Sequence, residues 1–122
     1  MSELWEAIAR SATGDAATDA DGGVQRTFVF TEEFPGFMGH FPGHPVLPAM
    51  IQMMAAAGIW SHGPGGARKV RGALRARFLM PITPGMTVTV HARPLGPDAA
   101  EIRVMAEERL TATFTLIFEK TA

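Results

Sequence analysis

The sequence predicts an α+β fold in which an antiparallel sheet wraps around one buried helix, and three observations carry that expectation. Residues 49–60, "AMIQMMAAAGIW", are good helix formers and apolar on nearly every face, the composition of a helix enclosed on all sides. Behind them run four segments, residues 71–80, 86–93, 101–107 and 109–120, in which apolar residues recur at every second position. These strands are consecutive and joined by short connections, so they pair antiparallel and present an apolar face that needs a cover.

Each element follows from its own residues. Residues 4–8 suit a short helix, and "SATGDAATDADGG" (residues 11–23) offers little to bury and reads as a loose connector. Residues 1–23 thus form a helix and connector at the head of a single domain spanning 1–122. "VQRTFVFT", beginning at Val24, is rich in β-branched and aromatic residues and reads as a strand, ended by Glu32, Glu33 and Pro35. The region 34–48 carries Pro35, Pro42, Pro45 and Pro48, each fixing its own φ and discouraging helix before it, so it is a rigid, shaped loop. Pro48 suits the opening of the helix, and Gly63, Pro64, Gly65 and Gly66 break the chain after it. In strand 71–80 the inward set is expected to be Gly72, Leu74, Ala76, Phe78 and Met80, opposed by Arg71, Ala73, Arg75, Arg77 and Leu79. Met86, Val88, Val90 and Ala92 face inward on the next strand, and Leu110, Ala112, Phe114, Leu116 and Phe118 on the last; residues 101–107 make a weaker strand. Turns fall at "PITPG" and "PLGPDA".

Composition removes several classes of function. With 11 basic against 12 acidic residues and a formal net charge of −1, the chain has no global field that draws it to nucleic acid or an anionic membrane, and no basic stripe is interleaved with aromatics. No nucleic-acid partner is expected. There is no cysteine, which excludes disulfides, a thiolate zinc site and a thiol nucleophile. The start "MSELWEAIAR" carries Glu3 and Glu6 where a secretory signal needs bases and then an apolar core, so a cytoplasmic location is expected. The most apolar window, 46–60, contains Pro48 and Gln52 and falls short of the ~20 residues of a spanning helix. A core helix is expected, and no membrane partner.

Within the proline-rich loop, "GHFPGHPVLP" (residues 39–48) resembles the signature of the 3-hydroxyacyl-acyl-carrier-protein dehydratases of fatty-acid synthesis, the FabZ and FabA type. The family pattern runs Gly-His-Phe-Pro, two variable residues, Pro, then Pro-Gly at a helix start, with Glu or Asp fourteen residues after the histidine. "ARFLMPITPGMTVTV" (residues 76–90) is similar to the Arg-Phe, Pro and Pro-Gly stretch of the same family. The resemblance covers roughly half the chain and implies the hotdog fold, an antiparallel sheet around a central helix. It also implies an acyl-thioester substrate on acyl-carrier protein or coenzyme A, no cofactor, and a dimer with its active site at the interface.

Two positions depart from the pattern. Met54 stands where the family has its acid, and Ala49 where it has the helix-opening glycine. The segment rich in His, Arg and Pro that usually precedes the first strand is also absent, which points to a divergent branch.

Dehydration of a 3-hydroxyacyl thioester requires a base for the α-proton, donors for the developing enolate oxygen and an acid for the leaving hydroxyl. The resemblance makes His40 the catalytic base, and its neutral imidazole suits that role near pH 7. Carbonyl binding falls to the N–H of Ala49 at the helix start after Pro48, with Gly39, Phe41 and Met54 as further substrate-binding positions. A structural histidine capping a loop is the alternative for His40. The acid is missing: a thioether donates no proton, and Gln52, about 200° round the helix from position 54, neither shares that geometry nor serves as an acid. Glu32 and Glu33 are weak substitutes near a strand end. Loss of a general acid costs about 10² to 10⁴ in rate. The resemblance suggests a remedy, since relatives take the histidine from one subunit and the acid from the other. A heterodimer with an acid-bearing hotdog subunit would then hold one working site, and a homodimer is the alternative.

His44 follows His40 at i+4, but Pro42 and Pro45 preclude the helix that would make a metal pair of them, so no metal is expected. Arg71, Arg75 and Arg77, preceded by Arg68 and Lys69, form a candidate docking patch for an acidic carrier protein and fit an ordinary solvated strand face equally well. Met50, Met53, Met54, Phe37 and Met38 suit either an acyl tunnel or plain core packing. Two other functions stay open at this point: a non-catalytic acyl-carrier binding protein, and a hotdog acyl thioesterase.

Overall fold

The N-terminal helix α1 (Ser2–Arg10) extends beyond the expected 4–8, with Ala7 and Ile8 buried on one side and the exposed Glu6 and Arg10 an i, i+4 pair on the other. The computed structural model describes residues 2–37, 43 and 45–120. The connector after α1 is more ordered than its composition implies. Its residues β1 (Ala17–Thr18) pair antiparallel with β2 (Val24–Val29), and Asp19 Oδ1 accepts the backbone N–H groups of Asp21 and Gly23, both at 2.9 Å. Small polar residues can join a sheet through backbone bonds and a side-chain-braced turn without burying anything.

Beyond β2, Phe28, Phe30, Phe34 and Phe37 pack in succession with ring centroids 5.6, 4.8 and 5.8 Å apart, the last on a short 3-10 turn (Pro35–Phe37). This aromatic series anchors the chain in the core as it enters the proline-rich loop. The central helix α2 (Ala49–Trp60) has the bounds the sequence predicts and lies against β2, α1 and β4 (Thr87–Pro94). The remaining strands are β3 (Val70–Phe78), β5 (Ala99–Ala106) and β6 (Arg109–Phe118). All six strands form one antiparallel sheet in the order β1-β2-β4-β5-β6-β3. Sheet and enclosed helix give the hotdog arrangement. Val88, Val90, Ala92, Ile102, Val104, Phe114 and Leu116 meet Ile51, Ala55, Ala56 and Ile59 in its core.

β3 departs from the expected pattern. Among the described residues it is an edge strand, paired only with β6, and it is exposed along nearly its whole length. Two register shifts, between Val70 and Gly72 and between Leu74 and Arg77, break the alternation. Ala73 therefore lies opposite the inward Leu116, whereas Leu74 lies opposite Thr115 on the outer face, the reverse of the period-two reading. Arg75, inside the second irregularity, has φ 53°, a left-handed conformation rare for a residue with a Cβ.

Candidate functional site

The site predicted from sequence lies where the proline-rich loop delivers the chain to α2. Pro48 is the N-cap, extended at φ −61° and ψ 151°, and its carbonyl accepts the N–H groups of Ile51 and Gln52 at 3.1 and 3.2 Å. Among the described residues no side chain caps this end, and the first turn holds no acid. The N–H groups of Ala49 and Met50 thus have no intrahelical acceptor, and both residues are exposed. A helix opening of this kind presents donors and the positive end of a dipole to an incoming oxygen.

Two contacts fix the angle of this opening. Leu47 donates its N–H to the carbonyl of Ile82 at 2.8 Å, and Gly85, at φ 88°, donates to the carbonyl of Phe30 at 2.9 Å. The "PITPG" turn thereby clasps both the end of β2 and the approach to α2. Gln52, 5% exposed, donates Nε2 to the carbonyl of Leu47 at 3.3 Å, while its Oε1 is buried with no hydrogen-bond partner among the described residues. Sequence reasoning considered Gln52 only as a failed acid and missed its bracing role. A polar residue one turn inside an otherwise apolar helix is the signal that pointed there.

Met54, which the resemblance sets at the family's acid position, is 7% exposed and packs in the core. α2 contains no acidic residue along its whole length. Gly39, His40 and Phe41 lie outside the described residues, as do Met38 and His44. Glu32 and Glu33 are exposed on the turn after β2. Among the described residues no group of three or more His, Cys, Asp or Glu side chains could hold a metal ion, and no helix is long and apolar enough to cross a membrane.

The arginine cluster divides. Arg68 is committed to structure: its guanidinium bonds Asp98 Oδ1 at 2.8 Å and the carbonyls of Glu119 and Pro97 at 2.6 and 3.3 Å, and it lies over the Phe118 ring. Lys69 sits 4.0 Å from the Glu119 carboxylate in an exposed pair. Arg71, Arg75 and Arg77 are all exposed on β3, but the register shifts deny them the shared regular face that alternation implied. Arg75 and Arg77 instead line an outer-face depression with Arg103 of β5, which the sequence reading left out.

Comparison with known proteins agrees with this architecture. The family model of ApeI-like proteins, described as ApeI dehydratase, matches residues 16–114. The chain is 35% identical to the 3-hydroxyacyl-acyl-carrier-protein dehydratase FabZ of Thermus thermophilus, with 70% of each protein covered. A FabZ of Magnetococcus marinus is 38% identical over 46% of this chain and 42% of its own length. Among solved structures, a chain of the dehydratase heterocomplex ApeI:P from Xenorhabdus doucetiae superposes with a TM-score of 0.79 at 14% identity, covering 89% of this chain and 96% of that one. The PaaI protein of the E. coli phenylacetic acid degradation operon gives a TM-score of 0.69 at 16% identity, over 98% and 88% of the two chains. At these identities the two structures speak to the fold alone.

Proposed function

This chain belongs to the ApeI-like dehydratase family, and from that premise we propose that it acts on 3-hydroxyacyl thioesters as a FabZ-like dehydratase whose acid comes from another subunit. His40 takes the proton α to the thioester carbonyl, and the N–H of Ala49 holds the oxygen as enolate character develops. The Cβ–oxygen bond then breaks, the electron pair of the former C–H bond becomes the new double bond, and the hydroxyl departs as water with a proton from the acid of the second subunit. Gly39, Phe41, Pro48 and Met54 border the substrate in this reading.

The observation that carries it is a pair of facts about one helix: directly after the dehydratase signature it opens on the exposed residues Ala49 and Met50 with no cap from a described side chain, and the position matching the family's acid is the buried Met54. A site equipped for the carbonyl and unequipped for the hydroxyl is half of a dehydratase. The exposed edge strand β3, with Leu74 and Phe78 54% and 42% exposed and Leu79 just beyond it 52%, supports a second hotdog chain pairing there. A solved structure similar in fold is itself a dehydratase heterocomplex. The FabZ relatives carry acyl-carrier protein in their names, which supports a carrier-borne substrate.

The test is enoyl formation from a 3-hydroxyacyl-carrier substrate by the purified chain, by wild type and His40→Ala, alone and mixed with an acid-bearing hotdog subunit. Turnover that needs the second subunit and vanishes in His40→Ala is the expected result. Full turnover by the chain alone overturns the half-site reading. Met54 also favours a second reading, a non-catalytic thioester binder, which predicts that His40→Ala changes no activity in any mixture.

A further inference from the structure

Helix α1 does not close completely onto the body of the protein. Between it, β2 and α2 lies a cavity of about 100 Å³. Its walls are apolar: Ile8 of α1, Phe28 of β2 and Ala55, Gly58 and Ile59 of α2, with the Trp5 ring, 40% exposed, along one side. Two basic side chains complete the lining, the half-buried Arg26 of β2 and the exposed His62 just past the end of α2. The cavity is thus an apolar recess with hydrogen-bond donors where it meets solvent. Gly58 follows Ala49 by about 14 Å along the helix axis, so this recess is separate from the opening of α2.

Neither backbone nor packing calls for a glycine at position 58. Gly58 lies inside α2 without a positive φ, and among the described residues a Cβ there would meet only the Trp5 ring, at an ordinary contact distance of 3.7 Å. Alanine is the better helix former, so the missing methyl keeps the recess open at some cost to the helix. Arg26 shares the inward face of β2 with the buried Val24 and Phe28. Its Nε donates to the carbonyl of Gly14 at 2.8 Å, and among the described residues no hydrogen bond or ion pair engages its two Nη groups. The negative end of α2 does not offset this charge. The carbonyls of Gly58, Ile59 and Trp60 already accept the N–H groups of Ser61, His62 and Gly63 at 3.3, 3.0 and 3.0 Å, and the α1 acids Glu3 and Glu6 take no part in the lining.

We propose that this recess binds a short aliphatic monocarboxylate, its chain between α1 and α2 and its carboxylate on the Arg26 guanidinium with His62 beside it. A guanidinium with both Nη groups open matches the two oxygens of a carboxylate, and the apolar walls take the hydrocarbon. The recess is smaller than the roughly 150 Å³ that accommodates a benzene ring, so it suits a narrow chain of a few methylenes better than an aromatic acid. Such a ligand is a free acid, chemically distinct from the thioester assigned to the opening of α2, and the site stands whether or not the chain is a dehydratase. Because the ligand touches α1, β2 and α2 together, its binding ties the N-terminal helix to the core.

The experiment titrates hexanoate into the full chain by calorimetry, with no thioester present. One hexanoate per chain is expected to bind, and methyl hexanoate much more weakly. Affinity should rise about fourfold per methylene from butanoate to hexanoate and then flatten as the recess fills. Arg26→Gln should weaken binding by about tenfold or more, with Arg26→Lys, which keeps the charge and loses the fork, in between. Gly58→Ala should weaken binding several-fold while raising the melting temperature by a few degrees, a combination that replacing a merely structural glycine does not produce. No saturable binding by wild type, equal binding of the methyl ester, or hexanoate binding that Arg26→Gln and Gly58→Ala leave intact would overturn the proposal. Because no turnover is read, carboxylate binding and dehydration can fail independently.

Discussion

Gln52 reaches back over the first turn of α2 to donate Nε2 to the carbonyl of Leu47, 3.3 Å away, and leaves Oε1 buried without a partner among the described residues. One bond is gained and one acceptor is left wanting, so the two halves of the amide oppose each other. Gln52→Ala should destabilise the protein by about 2 kcal/mol through the vacated space and the abandoned Leu47 carbonyl. Gln52→Met fills the space and removes the orphaned oxygen, and should cost only about 1 kcal/mol. Urea denaturation checks the order, and a methionine variant less stable than the alanine variant would contradict it.

Met54→Glu restores a carboxyl at the position where the family carries its acid. If the acid is the missing component, the variant should gain dehydratase turnover without any second subunit, by roughly 10²-fold or more over the wild-type chain. Because position 54 is only 7% exposed, the same change should lower the melting temperature. Turnover unchanged in a folded Met54→Glu protein would show that another component is lacking.

The hairpin between β5 and β6 turns on two residues, Glu107 and Glu108, both left-handed at φ 51° and 66°. Two-residue hairpins of this hand favour Asn-Gly, and two glutamates are a costly choice. Replacing the pair by Asn-Gly should stabilise the fold by about 1 to 2 kcal/mol, read as a higher denaturant midpoint at unchanged slope.

Arg68 and Lys69 are adjacent in sequence and opposite in consequence. The Arg68 side chain is 10% exposed and serves three oxygens of Asp98, Glu119 and Pro97, whereas Lys69 is 78% exposed. Arg68→Ala should cost about 2 kcal/mol by leaving those acceptors short of a donor, and Lys69→Ala less than about 0.5 kcal/mol. Thermal or urea unfolding distinguishes them.

The apolar edge gives a prediction about assembly. Leu74→Asp and Leu79→Arg, both at residues more than half exposed in the single chain, should disrupt association read by sedimentation while preserving the circular dichroism of the fold. Unaltered sedimentation of both variants would remove β3 from the interface.

Where a residue's neighbours in sequence decide its environment, the fold was legible. The all-round apolarity of residues 49–60 marked a buried helix to the residue, and Val88, Val90 and Ala92 obeyed period two because β4 is flanked by strands on both sides. The faces of β3 were not legible, since its two register shifts and the left-handed Arg75 arise from pairing with β6, more than thirty residues away. The turn at Glu107 and Glu108 escaped notice for a related reason: the hairpin is imposed by strand pairing and not by turn-favouring residues. Ala17 and Thr18 joined the sheet through backbone alone, which composition cannot report. Around the candidate site, the signature and the absence of an acid from α2 could be read as letters, whereas the bracing by Gln52 and Ile82 needed the geometry of the loop.

The placement of β3 also bears on how the chain acquires its shape. β3 emerges between α2 and β4 in sequence, yet its partner is β6, at residues 109–118, beyond two further strands. During synthesis residues 70–78 have no native strand to pair with until residues 109–118 have been made, while β4, β5 and β6 can zip together as local hairpins. For that interval an edge bearing Leu74 and Phe78 is kept in solution by Arg71, Arg75 and Arg77 among them. Replacing Arg71, Arg75 and Arg77 together should accordingly show first as a lower yield of soluble protein.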